Sequence, residues 1–299
     1  MANDKWTSES ILSQNGKVII ITGATSGLGK EATKVLAEKN ATVIMAVRNI
    51  EKAKTVVNEI KSKYSKAQIE IRQLDLMNIE SVKSFSKGIL TDFKRLDILM
   101  NNAGVMMCPY SKTNDGFEIQ MGVNHLGHFA LTGLLMPLLK ATKDSRIVAT
   151  SSIAHKQGNI DFTDLNWETR KYKTTAAYGD SKLANLYFAY ALQDKFKDDA
   201  DAPKITIAHP GWTKTELDRH SGLAAFIGNI VAQTVQMGTL PSLRAATDET
   251  AMSGDYFGPK GMMEMRGYPV KVKSNEMSHK KENARKLWAM SEELTGIKY

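Results

Sequence analysis

The chain has 299 residues, 42% hydrophobic and 24% charged, with a net charge of +8 and a pI near 9.3. This is the makeup of a globular chain long enough to bury a large core. The single cysteine, Cys108, excludes an intramolecular disulfide and any multi-cysteine metal site, and it reads as a small buried apolar residue or as part of a substrate wall.

The opening stretch MANDKWTSESILSQNGK has no apolar run, so neither signal peptide nor membrane anchor is expected, and a reducing, cytoplasmic setting fits. Lysines are scattered through mixed-sign segments with no basic stripe interleaved with aromatics. The positive charge therefore reads as a solvated surface and no nucleic-acid partner is expected. KVIIIT (residues 17–22) is a short β-branched run, as a fully buried parallel strand should be. The turn ITGATSGLGK follows, and then a helix with Ala32, Val35 and Leu36 on one face. In that turn Gly23, Gly27 and Gly29 are spaced G-x-x-x-G-x-G, with Thr25, Ser26 and Leu28 among them. Glycines there let backbone come close to a pyrophosphate at a helix N-terminus, where free N–H groups and the helix dipole favour anions.

A second strand (41–47) is followed by Arg48. An acidic residue at this point would bind the 2′-hydroxyl of an adenosine ribose; Arg48 is instead placed to attract a 2′-phosphate by bidentate hydrogen bonds, so NADP(H) is expected over NAD(H). The bland alternative is a surface arginine in a strand-to-helix loop. Ala53, Val56, Val57 and Ile60 mark the next helix. A third strand (67–76) alternates in polarity and ends at Asp75 and Leu76, before a helix marked by Val82, Phe85, Ile89 and Leu90. A fourth strand (96–100) runs into NNAG (101–104), and a long helix containing Asn124, a mediocre residue for a helix interior, ends near Leu139. The fifth strand (146–150) is followed by Ser151 and Ser152, the sixth (204–209) by Pro210, Gly211 and Thr213. Between these two strands lies a helix with Tyr178 and Lys182 four residues apart, one turn above each other on the same face. Tyr256 and Lys260 share that spacing, but Gly and Pro in GDYFGPKG argue against a helix.

Strands alternating with helices predict an α/β chain: a single-domain, Rossmann-type, doubly wound parallel β-sheet with helices on both faces. A nucleotide half would span about 16–150 and a catalytic half about 151–299, with residues 211–240 inserted over the strand ends as a substrate lid. Within the insertion, Leu223, Phe226, Ile227, Ile230 and Val231 either cap an apolar pocket or pack on the sheet edge. Asn229, Gln233 and Gln236 interrupt its apolar stretch, which falls short of a membrane span.

TGATSGLG, NNAG, TSS and YGDSK, in this order and with these gaps, resemble the short-chain dehydrogenase/reductase family from about Gly16 to beyond Gly211. VNHLGHF (123–129), the long stretch before Tyr178, SKLANLYF and MMEMRGYP are similar to the retinol dehydrogenase-like branch, and the absent N-terminal anchor to its soluble members. The resemblance implies interconversion of a carbonyl and an alcohol by hydride transfer with a nicotinamide cofactor. It maps the catalytic group onto Ser152, Tyr178, Lys182 and Asn124. Tyr178 would exchange the proton, Lys182 would lower its pKa and bind the nicotinamide ribose, and Ser152 would hold the substrate oxygen. Asn124 would accommodate a local irregularity and link Lys182 to a proton-relaying water. Asp75 and the Leu76 amide would contact adenine, Asn102, Ala103 and Gly104 the adenine-ribose side, and Pro210, Gly211 and Thr213 the nicotinamide carboxamide.

Strand alternation sends the two serine hydroxyls in different directions, and the family pattern favours the second. His125, His128, His155 and His209 read as structural, and no metal is assigned. Met106, Met107 and Cys108 give the cleft mouth an apolar cast, which suggests a hydrophobic aldehyde or ketone. Relatives often form homodimers or homotetramers that pair the helix bearing Tyr178. The main alternative is an NADP(H)-sensing regulatory protein, although such proteins commonly lose the tyrosine or lysine kept here. A sugar-nucleotide epimerase or dehydratase would use G-x-x-G-x-x-G, and a light-driven reductase a further cysteine for which Cys108 is thin support.

Overall fold

Ile19, Ile20 and Ile21 are all fully buried, because the strand they form is covered on both faces. A computed structural model describes residues 5–213, 232–261 and 263–299. The strands are β1 (Val18–Thr22), β2 (Thr42–Val47), β3 (Gln68–Gln73), β4 (Ile98–Asn101), β5 (Arg146–Thr150), β6 (Lys204–Ala208), β7 (Tyr256–Gly261) and β8 (Arg266–Lys271). They make one sheet in the order β3-β2-β1-β4-β5-β6-β7-β8. Pairing is parallel from β3 to β7, with Ile20 opposite Ile44 on one side and Leu99 on the other. Only β8 is antiparallel.

Alternate strand residues feed two separate cores. Ile20, Ile44 and Leu99 face the helices α3 (Ile79–Asp92), α4 (Gly127–Lys140), α5 (Thr174–Lys195) and α7 (Lys281–Thr295). Ile19, Ile21 and Val43 face α1 (Gly27–Glu38), α2 (Ile50–Lys63) and α6 (Val235–Thr247). The first six strands stand where β-branched runs place them, with ends shifted by up to three residues. The hairpin β7–β8 carries no such run. Its YFGPKG and RGYPVK segments are rich in Gly and Pro, which an edge tolerates: Pro259 faces Pro269, beyond the two residues through which β7 pairs with β6. A strand also settles Tyr256 and Lys260: four residues along a strand span about 13 Å, so the two do not share a site.

Leu223, Phe226, Ile227, Ile230 and Val231 of the expected lid lie outside the described residues. Val235–Leu240, the last part of the expected insertion, begins α6, the crossover between β6 and β7, which packs on α1.

The C-terminal helix α7 closes the outer face of α4 and α5. Trp288 stacks on Phe188 with ring centroids 6.0 Å apart and meets Phe129 edge-on at 5.1 Å. The Tyr299 hydroxyl donates to the Phe129 carbonyl at 2.6 Å. Among the described residues no helix is long and apolar enough to cross a membrane.

Candidate active site

Between β1 and β4 the strand order reverses, and at such a switch point the carboxyl ends of the strands open a crevice. The glycine turn leaves β1 on one side and NNAG leaves β4 on the other. They are fitted closely: a Cβ on Gly29 would lie 2.6 Å from Asn102 Nδ2, and one on Gly23 2.9 Å from Ala103 Cα. Asn102 Nδ2 donates to the Thr22 carbonyl at 2.8 Å, and the Asn102 and Ala103 amides both donate to Thr22 Oγ1 at 2.9 Å.

Helix α1 starts here unlike its neighbours. Asn49 and Asn78 cap α2 and α3 with their side chains, and Glu51 and Glu80 stand in those first turns. At α1 the Ser26 side chain makes no cap and the first turn holds no acid. The turn Thr25-Ser26-Gly27-Leu28-Gly29 therefore offers backbone N–H groups and the positive end of the helix dipole, with no acidic side chain of its own in the first turn. These features fit a pyrophosphate-bearing dinucleotide.

Arg48 follows β2 directly and is exposed; its Nη1 rests 3.6 Å from Met77 Sδ. β3 ends at Gln73, so Asp75 and Leu76 belong to the turn beyond it and not to the strand. Asp75 Oδ1 accepts from the Met77 amide at 3.0 Å, and the Asp75 amide donates to Ser81 Oγ at 3.0 Å. Leu76 presses on Gly127, where a Cβ would meet its carbonyl oxygen at 2.8 Å.

The long helix is irregular at Asn124. A short helical turn (Ile119–Met121) passes into a π-helical turn (Gly122–Leu126) before α4. Such turns concentrate at functional sites. The Asn124 side chain is fully engaged: Oδ1 accepts from the Val105 amide at 2.8 Å, and Nδ2 donates to the Val105 carbonyl and to Ser181 Oγ, each at 2.9 Å. It thus ties the chain after Gly104 to α5. Gly104 lies against it; a Cβ there would stand 3.0 Å from Asn124 Oδ1 and 3.5 Å from Lys182 Nζ.

Tyr178 and Lys182 occupy one face of α5, with the ammonium 5.6 Å from the phenol ring centroid. The loop before them is fastened to the same helix by the Asn159 amide, which donates to Asp180 Oδ1 at 2.7 Å. Lys182 is 4% exposed, forms no ion pair among the described residues, and donates to the Thr150 carbonyl at 3.3 Å. Burial pulls its pKa down from 10.5 to about 8. The sign follows from linkage: between these values the unfolded chain binds more protons than the folded one. Burying the charged lysine thus costs stability below pH 8, and this cost fades as pH rises toward 10.5. Lys182→Met is expected to be more stable than wild type at pH 7, by up to about 3 kcal/mol, and to lose that advantage by pH 10. Urea unfolding of both proteins across this range measures it; a constant difference would show that the lysine is neutral or well solvated.

The two serines divide as alternation requires. Ser151 is buried and its hydroxyl donates to the Lys182 carbonyl at 2.9 Å. Ser152 is half-buried; its Oγ accepts from the Ala154 amide at 3.2 Å, which leaves the hydroxyl proton to give. After β6, His209 accepts from the Gly211 amide at 3.2 Å through Nδ1 and meets Glu264 at 3.0 Å through Nε2. Thr213 Oγ1 donates to the Pro210 carbonyl at 2.8 Å, so this hydroxyl is committed within its own turn. Cys108 is half-buried, and burial pushes its thiol pKa up, which disfavours a thiolate.

Three contributors to this framework escaped the sequence reading: Thr22, Asn185 and the Glu118–Gln120–Tyr172 group. Asn185 donates to the Thr150 carbonyl at 2.9 Å, sharing it with Lys182, and its place three residues on along the same face was the available signal. Gln120 Oε1 accepts from the Met107 amide at 2.8 Å, and Glu118 accepts from the Tyr172 hydroxyl at 2.7 Å, which shapes the wall after NNAG. A cavity of about 1160 Å³ lies away from these residues, between the end of α5 and α7.

The short chain dehydrogenase family profile matches residues 17–224. Human retinol dehydrogenase 13 is 40% identical over 293 residues, covering 94% of this chain and 85% of that protein. Human retinol dehydrogenase 12 is 40% identical over 289 residues, covering 95% and 88%. Among solved structures, an uncharacterised protein from Mycobacterium paratuberculosis superposes with a TM-score of 0.84 at 37% identity over 99% of both chains. A short chain dehydrogenase from Shigella flexneri complexed with NADP gives 0.65 at 27% identity, covering 82% of this chain and 97% of that one. With this sheet order and these matches, the chain belongs to the short-chain dehydrogenase family and is a retinol dehydrogenase-like oxidoreductase.

Proposed function

We propose that the protein interconverts an apolar aldehyde or ketone and its alcohol with NADP(H), using Tyr178 as acid and base. The observation that carries this reading is Lys182: a buried ammonium that forms no ion pair among the described residues, fixed by the Thr150 carbonyl 5.6 Å from the Tyr178 ring. A cation kept there at a cost in stability favours the phenolate left when Tyr178 gives up its proton. Ser152, with its uncommitted proton, holds the substrate oxygen as charge develops on it.

The glycine turn and the α1 N-terminus would hold the pyrophosphate of NADP(H), Asp75 and Leu76 the adenine, and Asn102, Ala103 and Gly104 the adjoining ribose. Lys182 would bind the second ribose and the Pro210-Gly211-Thr213 turn the carboxamide. The bound cofactor supplies or accepts the hydride. Asn124 keeps the wall after Gly104 and the Tyr178 helix in register through Val105 and Ser181. Met106, Met107 and Cys108 make the substrate side apolar, consistent with an elongated apolar substrate of the kind named in the retinol dehydrogenases. A cytoplasmic location accords with this reading, and a homodimer or homotetramer would have to use surface that α7 leaves uncovered.

The test is consumption of NADPH by purified protein against a panel of apolar aldehydes and ketones, with NADH for comparison. Turnover that prefers NADPH supports the reading; tight NADPH binding without turnover moves weight to the sensor alternative. Arg48 gives a separate expected result. Arg48→Ala should weaken NADPH relative to NADH by about 10–100-fold in kcat/KM, the size expected for a charge-assisted contact to a 2′-phosphate. An unchanged ratio would return Arg48 to the surface.

A further inference from the structure

We propose that His128 is a positioning residue that joins the turn carrying Asn124 to the nucleotide side of the cleft through Thr22. The inference rests on the reading of the site given above and goes beyond it, since His128 touches neither reacting group.

Every proton in the linkage can be assigned. His128 Nδ1 lies 3.0 Å from the Asn124 carbonyl oxygen. A carbonyl only accepts, so Nδ1 carries the proton and Nε2 is left as an acceptor. Nε2 lies 2.9 Å from Thr22 Oγ1, so the Thr22 hydroxyl donates to it in preference to the Met100 carbonyl at 3.3 Å. The lone pairs of that hydroxyl are then filled by the Asn102 and Ala103 amides, both at 2.9 Å. The order is Asn124 carbonyl, imidazole, hydroxyl, and the backbone of NNAG, with no unmatched partner. Thr22 and Asn124 are fully buried and His128 is 3% exposed, so water does not compete. Burial and the charge of Lys182 hold the imidazole neutral, with its pKa near 4, so the donor and acceptor roles persist at any working pH.

A histidine that merely filled the core would not need both nitrogens matched to two different functional stretches. Nor is this a proton path, because it ends in backbone amides, whose N–H groups are far too weakly acidic to relay a proton. Its effect is mechanical. The imidazole fixes the distance between the π-helical turn and the backbone against which Gly23 packs. The His128 carbonyl adds a second tie: it accepts from Thr132 Oγ1 at 2.7 Å, and Thr132 Oγ1 accepts from Asn101 Nδ2 at 2.9 Å, at the end of β4.

Two substitutions separate the two bonds. In His128→Asn the amide reaches the place of Nδ1 and keeps the donor to Asn124, while Thr22 loses Nε2 and turns to the Met100 carbonyl at 3.3 Å, which breaks the link to the helix. In His128→Gln the amide reaches the place of Nε2 and keeps the acceptor for Thr22, while Asn124 loses its donor. The measurements are the NADPH Kd, the single-turnover rate at saturating NADPH with an apolar aldehyde, and Tm. The Asn variant is expected to weaken NADPH about tenfold with its rate within about threefold of wild type. The Gln variant is expected to lose about tenfold in rate with Kd within about threefold. Equal effects on Kd and rate in both variants, or a change in Tm alone, would overturn the linkage. Wild-type protein that neither binds NADPH nor turns over would overturn the reading of the site itself. Should one His128 variant fail to fold, the other carries the test alone: Asn must weaken NADPH more than it slows the rate, Gln must slow the rate more than it weakens NADPH, and the opposite order overturns the proposal.

Discussion

Replacing Tyr178 by Phe is expected to lower kcat for carbonyl reduction by about 10³-fold while changing the NADPH Kd by no more than about twofold. The substitution removes one oxygen. The ring, 8% exposed on α5, keeps its packing and its place 5.6 Å from the Lys182 ammonium. The helix is also held from below by the Ser181 hydroxyl, which donates to the Tyr178 carbonyl at 2.8 Å, and that bond survives the change. The loss should therefore fall on the chemical step. Stopped-flow reduction at saturating NADPH measures it, with equilibrium titration of NADPH alongside. A rate within a few-fold of wild type would mean that the proton comes from elsewhere, and the proposed role of Tyr178 would have to be given up. A large rise in Kd would instead point to a disturbed helix.

Gly29→Ala is expected to weaken NADPH binding by at least about tenfold and to destabilise the fold by about 1–3 kcal/mol. A methyl at this position meets the Gly23 carbonyl and, at 2.6 Å, Asn102 Nδ2. Both neighbours are backbone or are tied to backbone: Asn102 Nδ2 donates to the Thr22 carbonyl at 2.8 Å, and the Gly23 amide donates to the Ala46 carbonyl at 3.0 Å. Neither can swing aside as a surface side chain would, so the turn must open and its N–H groups lose their aim. NADPH titration and thermal unfolding read the two effects separately. Wild-type affinity in this variant would show that the turn is not where the pyrophosphate sits.

The parts of this architecture that were legible in the sequence are those governed by short-range rules. Runs such as VIII and the RIVAT segment show their burial in composition, and β5 begins and ends where the sequence places it. The Tyr178–Lys182 pair needs only helical periodicity to be brought together. The hairpin β7–β8 was not legible, because its residues satisfy an edge and not a strand propensity. The division of labour between Ser151 and Ser152 was half legible. Alternation separates the two hydroxyls, but only the tertiary contact shows that Ser151 is spent on the Lys182 carbonyl. Asn124 illustrates the same limit. Its poor helix propensity flagged the position, whereas its two hydrogen bonds to Val105 depend on a partner 19 residues away. Thr22 reads as one more β-branched residue at a strand end, and nothing local marks it as an acceptor for two amides.

The clamp of α7 on α4 bears on when the protein can become functional during synthesis. Ser291 Oγ donates to the Leu287 carbonyl at 2.7 Å, so the 2.9 Å bond between it and His125 Nε2 is given by the imidazole, from within the turn that holds Asn124. These residues are 166 positions apart. A nascent chain emerging from the ribosome can form β1 to β6 with their helices in order, as domains generally do from the N-terminal side. The π-helical turn and the aromatic face around Phe129 stay uncovered until α7 arrives. The glycine turn can therefore be complete before the turn that holds Asn124 is covered, so the order of synthesis separates the two sides of the cleft in time.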